Sequence, residues 1–381
     1  MAETSEGHPP RILLIGAGHA HLHLMRHRAR LPHAELTVVD PGSFWYSGMA
    51  AGVLGGAHAP GLDRIDPVRL AHRYRLDHAR GRLAQLDIAG RRVHLEDGRT
   101  LPFDLLSLNV GSSALALPAV PDGPVVWTVK PIQQLVALRQ RLLGACRRGE
   151  HPRIVVVGGG ASGVEVACNL RALTAEYGTQ AAITLVNRDS TLLASAPAGA
   201  QRWLERHLHR LGIQLRSGLS AVAHHREGVL VAEENVAGQD NLGLLECDHI
   251  VHACGLAPPA VLERLGLTLI AGRGVAVRST LQSVDHPDIF AAGDCAAMVD
   301  HILPRLGVYG VRQAPVLLTN LAARLGNHSL QCYVPQSKAL SILDLGQGQG
   351  LAFRGRLWWA GRLSLRWKRW LDGRFMTQYR C

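Results

Sequence analysis

The sequence predicts an α/β fold of two similar, doubly wound units, one inserted into the other, and three observations carry that reading. Residues 11–40 run Arg-Ile-Leu-Leu-Ile-Gly-Ala-Gly-His-Ala-His and continue to Val38-Val39-Asp40. Residues 153–187 repeat the layout as Arg-Ile-Val-Val-Val-Gly-Gly-Gly-Ala-Ser-Gly through Leu185-Val186-Asn187. Each half then supplies a hairpin feeding a buried strand that ends on glycine, from the Asp97-Gly98 turn to Gly111 and from Leu244 to Gly255.

Each opening motif is an apolar strand, a glycine-rich turn and the start of a helix. Such a turn brings backbone N–H groups and the positive end of a helix onto a pyrophosphate, and a residue ending the next strand reaches the adenosine ribose. The chain therefore reads as two Rossmann-like dinucleotide-binding domains. In the first, Gly16 and Gly18 let the backbone approach the phosphates, and Asp40 offers two acceptor oxygens to the ribose hydroxyls. Gly158, Gly160 and Gly163 repeat that logic, with Asn187 at the ribose position. Gly111 and Gly255 end short strands at the sheet edge where a bound dinucleotide is met. Two such sites indicate electrons passing between two cofactors.

The proline-rich stretch from Pro118 to Pro131 reads as the first crossing between domains, and Gly255 to Pro259 as the return. The first domain is thus expected over residues 1–125 and 258–330, the inserted one over 126–257, and a C-terminal segment over 331–381. After the return, Ser279 to Asp294 gives a loop, a short apolar strand and a Gly293-Asp294 pair expected to open a helix and complete the first site.

A content of 47% apolar residues with 41 glycines suits an α/β enzyme and excludes a disordered or fibrous chain. The seven cysteines show no CxxC and no compact framework, which points to a reducing compartment. The first ten residues have neither a basic nor an apolar signal region, and no stretch reaches the ~18 uninterrupted apolar residues of a spanning helix. A cytoplasmic location is expected.

The net charge of +11 is concentrated at one end: Phe353 to Cys381 holds eight cations and only Asp372 as an anion. Drawn as a helix, Trp359, Ala360, Leu363, Trp367, Trp370 and Leu371 fall on one face, flanked by Arg362, Arg366 and Arg369, with Leu365 on the polar side. A basic amphipathic helix with tryptophans suits an anionic membrane surface, here the inner face of the plasma membrane. The same stripe also suits packing on its own domain or in a homodimer. Nucleic acid is not expected, because no recognition motif accompanies the charge.

Across nearly its whole length the chain resembles the two-dinucleotide-binding-domain flavoproteins, the pyridine nucleotide-disulfide oxidoreductase superfamily with its glutathione-reductase-like fold. Gly16-Ala-Gly18-His-Ala-His21 looks like the FAD turn, Gly158-Gly-Gly160-Ala-Ser-Gly163-Val-Glu165 like the nicotinamide turn, and Ile289-Phe-Ala-Ala-Gly293-Asp294 like the flavin ribityl motif. Trp45 to Met49, Val129 to Ile132 and Gly307 to Pro315 resemble a narrower group. That group comprises flavoproteins related to type II NADH:quinone dehydrogenases and the flavoprotein module fused to selenide,water dikinase.

The resemblance implies FAD and NAD(P)H as cofactors. It implies Asp294 as acceptor for a ribityl hydroxyl, Glu165 near the nicotinamide end, and Gln313 over the flavin pyrimidine edge. Tyr309, Gln313 and Lys130 become the quinone-side candidates; Lys130 reads equally as a solvated linker lysine. His21 takes the place of the usual third glycine, which matches the narrower group, and reads as a cofactor-site or a packing residue. His19, His21 and His23 are two apart and share no helix face, so no metal site is expected. Asn187 in place of the usual acid, followed by Arg188, removes repulsion of a 2′-phosphate and opens NADPH use.

Disulfide reduction is disfavoured, since the segment Phe44 to Gly56, which in disulfide reductases carries a redox CxxxxC, contains no cysteine. The expected activity is hydride transfer from NAD(P)H to flavin and onward to a quinone. In this chemistry the cofactors react and the protein orients them, so no side-chain acid or nucleophile is named. Two alternatives stand beside it: a sulfide, polysulfide or selenium-compound oxidoreductase using Cys295, and a non-enzymatic flavin redox sensor.

Overall fold

The computed structural model describes residues 8–179, 181–233 and 242–380. Cys381 and the first seven residues, on which most of the N-terminal reading rests, lie outside them. Among the described residues are eight α-helices: α1 (His19–Arg26), α2 (Ser47–Leu54), α3 (Pro67–Tyr74), α4 (Gln133–Arg147), α5 (Ala161–Glu176), α6 (Ala198–Arg210), α7 (Gly307–Leu325) and α8 (Arg362–Thr377).

Leu, Ile and Val dominate residues 12–15 and 154–157, and runs of that kind without polar alternation form parallel strands covered on both faces. The first sheet runs Ile289–Ala291, Leu105–Leu108, Arg11–Ile15, Glu35–Asp40, Asp77–Arg80, all parallel. The second runs Val125–Thr128, His249–His252, Arg153–Val157, Ala182–Asn187, Gln214–Ser217, again all parallel. In both sheets the strand before the glycine turn is central, so the two turns stand at equivalent carboxyl edges. The duplication extends to a three-stranded antiparallel sheet in each half, Leu83–Asp87 to Thr100–Pro102 and Leu219–His225 to Leu242–Glu246. The expected α/β architecture of two Rossmann-like units is the one observed.

The crossings are more ordered than their prolines imply. Val125–Thr128, inside the first crossing, is the edge strand of the second sheet, and Ser113–Ala114 pairs antiparallel with Leu256–Ala257 of the return.

The C-terminal segment belongs to both cores. Its antiparallel sheet, Ser341–Asp344, Gly350–Arg354 and Leu357–Ala360, buries Leu343, Leu351 and Phe353 in the cluster built on α4 and α5. Each such side chain contributes about 1.5–3 kcal/mol. At its other end Met376 and Tyr379 enter the core around the first sheet.

Two expectations are corrected here. Asp294 opens no α-helix: Gly293–Cys295 is one 3₁₀ turn leading into the strand Ala296–Met298, and the helix begins at Gly307. Trp359 and Ala360 are not helical, because Leu357–Ala360 pairs with Gly350–Arg354. Helix α8 seats Ser364, Leu365, Lys368, Asp372 and Met376 and leaves Leu363, Trp367 and Trp370 of its apolar stripe outside.

Candidate active site

Asn109, a residue singled out for no role by its sequence context, locks the first glycine turn. Its Oδ1 accepts the backbone N–H groups of Ala20 (3.1 Å) and His21 (3.4 Å), and its Nδ2 donates to Ala292 O (2.6 Å). One buried amide thus ties together the starts of α1 and the 3₁₀ turn. A Cβ at Gly16 would stand 2.5 Å from Asn109 O, and one at Gly18 2.3 Å from Asn109 Oδ1, so both positions demand glycine. The available signal was a polar residue closing the apolar run Leu105 to Leu108, two positions before Gly111.

His21, read as a cofactor-site or a packing residue, braces the turn. It is fully buried, with Nδ1 2.5 Å from Gly16 O and Nε2 2.8 Å from Ser107 Oγ. Burial lowers its pKa to about 4, so the ring is neutral. Asp40 is buried as well: Oδ1 accepts Gly42 N–H at 2.6 Å and Oδ2 lies 3.0 Å from His78 Nε2. Each oxygen keeps a second lone pair for a ribose hydroxyl.

A cavity of about 610 Å³ opens over this turn, walled by Gly16, Gly18, Asp40, Gly111, Ser112 and Lys130 among others. That volume lies in the range of cofactor sites. Gly111, at φ +74°, has open space where a Cβ would stand. A further cavity of about 290 Å³ is bounded by Gly293, Asp294, Arg305, Tyr309 and Gln313. Gln313 Oε1 accepts Gly293 N–H at 2.7 Å, which ties α7 to the 3₁₀ turn. Tyr309 occupies the first turn of α7. Arg305 gives its guanidinium to three backbone carbonyls, those of Asp294, Leu256 and Gly272.

Asp294 Oδ2 receives both Lys130 Nζ (2.8 Å) and Ser112 Oγ (2.7 Å). Burial works against its charge, but Lys130 and Ser112 prevail and hold the carboxyl below its usual range. Asp294 is therefore an anion in the cavity wall.

At the second turn Gly158 has φ +125°, and a Cβ at Gly163 would stand 1.8 Å from Gly158 O, so α5 packs directly on the turn. Gly160 has open space at that position, as a phosphate approach requires. Asn187 Nδ2 donates to Asp189 O (2.7 Å) and Thr191 O (2.9 Å), while a Cβ at Gly159 would lie 2.2 Å from its Oδ1. The amide shapes the loop that carries Arg188. Gly255, at φ +63°, returns the chain beneath Leu115. Glu165 Oε1 accepts the N–H of Asp344 at 2.7 Å, and desolvation raises its pKa to about 7.

These two turns, with their glycines required by geometry, match the pyridine nucleotide-disulphide oxidoreductase description over residues 10–316. The chain belongs to this family. It is 30% identical over 327 residues to the nitric oxide reductase FlRd-NAD(+) reductase of Escherichia coli O9:H4, covering 84% of this chain and 80% of that one. Its fold is similar to that of the sulfide:quinone oxidoreductase of Aquifex aeolicus, with a TM-score of 0.83 at 15% identity over 97% and 91% of the two chains. It is similar also to NDH2 of Plasmodium falciparum, solved with NADH, with a TM-score of 0.82 at 12% identity over 97% and 95%. The protein is thus a flavin-dependent oxidoreductase using FAD and NAD(P)H. The cavity over Gly16, with its open Gly111, acidic Asp40 and unstrained phosphate approach, fits FAD.

The C-terminal helix of this family member approaches the flavin side of the molecule. Tyr46 Oη donates to Asp372 Oδ1 at 3.0 Å, and its ring stacks on Phe375 with centroids 4.4 Å apart. Lys368 Nζ donates to Asp372 Oδ2 at 3.1 Å and to Gly48 O. His19, beside the first turn, is boxed by Phe44, Tyr46 and Phe375, and burial lowers its pKa to about 4.

Cys295 is sealed: fully buried, within 3.5 Å of Leu108 O and 3.4 Å of Ala292 O, with burial raising its pKa to about 11. Such a thiol is inert. Among the described residues no group of three His, Cys, Asp or Glu side chains is placed to hold a metal ion, and no helix is long and apolar enough to cross a membrane.

Proposed function

We propose that this protein takes a hydride from NAD(P)H onto FAD and passes the electrons to a quinone at an anionic membrane surface. The observation that carries this reading is the two-sidedness of α8. Outward, Leu363, Trp367 and Trp370 stand with Trp359 of the adjoining strand as an exposed apolar patch, and the charges of Arg362, Arg366 and Arg369 border it. Inward, the same helix places Asp372 and Phe375 against Tyr46, next to the Phe44 and Trp45 that wall the flavin cavity. One helix therefore runs from a surface suited to lipid headgroups to the edge of the redox centre. Tryptophan rings at headgroup depth and guanidinium groups on anionic lipid are the forces such a patch uses.

When bound, FAD supplies the hydride acceptor and electron donor. This chain's own residues do the rest. Gly16, Gly18 and Asp40 fix the adenosine diphosphate end, Asp294 takes a ribityl hydroxyl, and the start of α7 near Tyr309 and Gln313 borders the ring and the quinone. Gly158, Gly160 and Gly163 orient the nicotinamide coenzyme. Arg188 beside Asn187 favours a 2′-phosphate. The burial of Cys295 removes one of the two observations that motivated sulfur chemistry, the other being the resemblance to the kinase-fused flavoproteins.

The experiment is anaerobic stopped-flow of the flavin absorbance, mixing separately with NADH, NADPH and sulfide, then with a soluble quinone, with and without vesicles containing anionic lipid. Bleaching by a nicotinamide and recovery with quinone, faster on vesicles, supports the reading. Bleaching by sulfide alone overturns it. Dimers formed through the tryptophan patch, without vesicle binding, would give that face to a second copy and overturn its membrane part.

A further inference from the structure

We propose that Lys130 is the charge-compensating residue of the flavin site, a cation delivered by the inserted domain to offset the negative charge that hydride transfer places on the flavin ring. Hydride transfer from NAD(P)H carries two electrons and one proton; it leaves NAD(P)⁺ and adds one negative charge to the ring system until a proton follows. The inference rests on the FAD cavity and is independent of which acceptor is used.

Three features single out this lysine. Its backbone is anchored in the second domain: Val129 N–H donates to His252 O at 3.1 Å and Thr128 Oγ1 donates to Lys130 O at 2.6 Å. Its ammonium is aimed back into the first domain's cavity, donating to Ser112 Oγ at 2.7 Å and Asp294 Oδ2 at 2.8 Å. Ser112 in turn donates to the same Oδ2 at 2.7 Å, so the three groups close a triangle that fixes Nζ without reliance on solvent. The crossing that changes domain thus places a charge in the wall of the first cofactor cavity.

The triangle is also incomplete in a way that points to a ligand. An ammonium has three N–H donors, and two are used. Asp294 takes both of its partners on Oδ2, leaving Oδ1 without one among the described residues. Lys130 and Ser112 line the larger cavity and Asp294 the smaller one, so a free donor and a free acceptor stand where the two meet and suit a ring carbonyl or ring nitrogen and a ribityl hydroxyl. Other cations at the cavities are committed elsewhere: Arg305 to three carbonyls and Arg273 to His301 O. Arg82 lines the far end, with Gly81 and Asp40.

The sign of the effect is fixed by Asp294. Removing the lysine charge leaves that carboxylate uncompensated beside the flavin, so reduction becomes harder for two reasons at once: a cation is lost and an anion is exposed. A lysine that served only as a domain latch would change stability and leave the flavin's chemistry as it was.

The test compares FAD-loaded wild type with Lys130→Met and Lys130→Arg in two titrations that need no turnover. One is the two-electron midpoint potential against a reference dye. The other is the affinity for sulfite, which adds to the flavin and leaves the same negative charge on the ring. We expect Lys130→Met to weaken sulfite binding at least tenfold and to lower the midpoint by about 30 mV or more, the tenfold equivalent for a two-electron couple. Lys130→Arg, which keeps the charge, should stay within about threefold. If Lys130→Met loses its flavin, the same titrations on Lys130→Gln, which retains a donor to Asp294, decide the matter. A potential and sulfite affinity within twofold of wild type in the uncharged variant, whatever its melting temperature, overturn the assignment.

Discussion

Glu165 of α5 accepts a hydrogen bond at 2.7 Å from the backbone N–H of Asp344, so the helix that follows the second glycine turn is pinned to the C-terminal sheet. Asn169, one turn further along α5, donates to Asp344 O at 2.9 Å and completes the clasp. The same carboxyl lies in the field of Lys368, which favours its charge, and of Asp344 and Asp372, which oppose it. Desolvation dominates and moves its pKa up to about 7.

This makes stability fall with rising pH. A carboxyl whose folded pKa is raised binds its proton more tightly folded than unfolded. Its contribution is fully present below the ordinary carboxyl range and is lost as pH rises through about 7. The loss is on the order of 3 kcal/mol. Glu165→Gln keeps the acceptor and removes the titration, so melting curves from pH 5 to 8 should be flatter for the variant. Parallel slopes in the two proteins would show that Glu165 is ionised throughout.

Asn109 should govern flavin retention. Replacing it by leucine strands the N–H groups of Ala20 and His21 without partners in a buried turn and removes the amide donor to Ala292 O. Unmet buried groups cost about 1–3 kcal/mol each. We expect Asn109→Leu to lose about 3 kcal/mol in urea unfolding and to release FAD on gel filtration. Retention of stoichiometric flavin would show that the turn holds its shape without the clamp.

The tryptophan patch should matter for lipid and not for folding. Leu363 is 74% and Trp370 57% exposed, and substitutions at such positions usually change stability by less than about 0.5 kcal/mol. The double variant Leu363→Ala, Trp370→Ala should therefore melt within a few degrees of wild type while its partition to anionic vesicles in a sedimentation assay falls about tenfold. A large drop in melting temperature would instead assign these side chains to packing.

The glycine turns were legible because their requirements are local. A positive φ at Gly16 and close approach at Gly163 follow from strand, turn and helix within a few residues. The buried face of the C-terminal helix was not legible because it is chosen by a distant partner. Leu365 looks polar-side by periodicity, yet it is buried because α8 packs on the strands Ser341–Asp344 and Gly350–Arg354. Lys368 and Asp372 look like solvated charges, yet they are buried against Tyr46 and Gly48, some 320 residues away in sequence. Asn109 and His21 were under-read for the same reason, since their partners Ala292 and Ser107 come from other strands. The Gly293-Asp294 pair carries an N-cap signature, but the next strand claims the chain after a single 3₁₀ turn.

Coenzyme preference offers a variant whose outcome depends on the loop and not on charge alone. Asn187→Asp places the acid usual for NADH at the ribose position, and by repulsion of a 2′-phosphate it should cut efficiency with NADPH. The amide, however, donates to both Asp189 O and Thr191 O, and a carboxylate cannot donate. The substituted oxygen would face two carbonyls, so the loop carrying Arg188 must shift. We expect kcat/KM with NADPH to fall at least tenfold and kcat/KM with NADH not to rise. Arg188→Ala leaves the brace intact, and its effect should be confined to NADPH. Steady-state kinetics with both coenzymes separates the two cases: a gain with NADH in Asn187→Asp would mean that the loop does not need the amide.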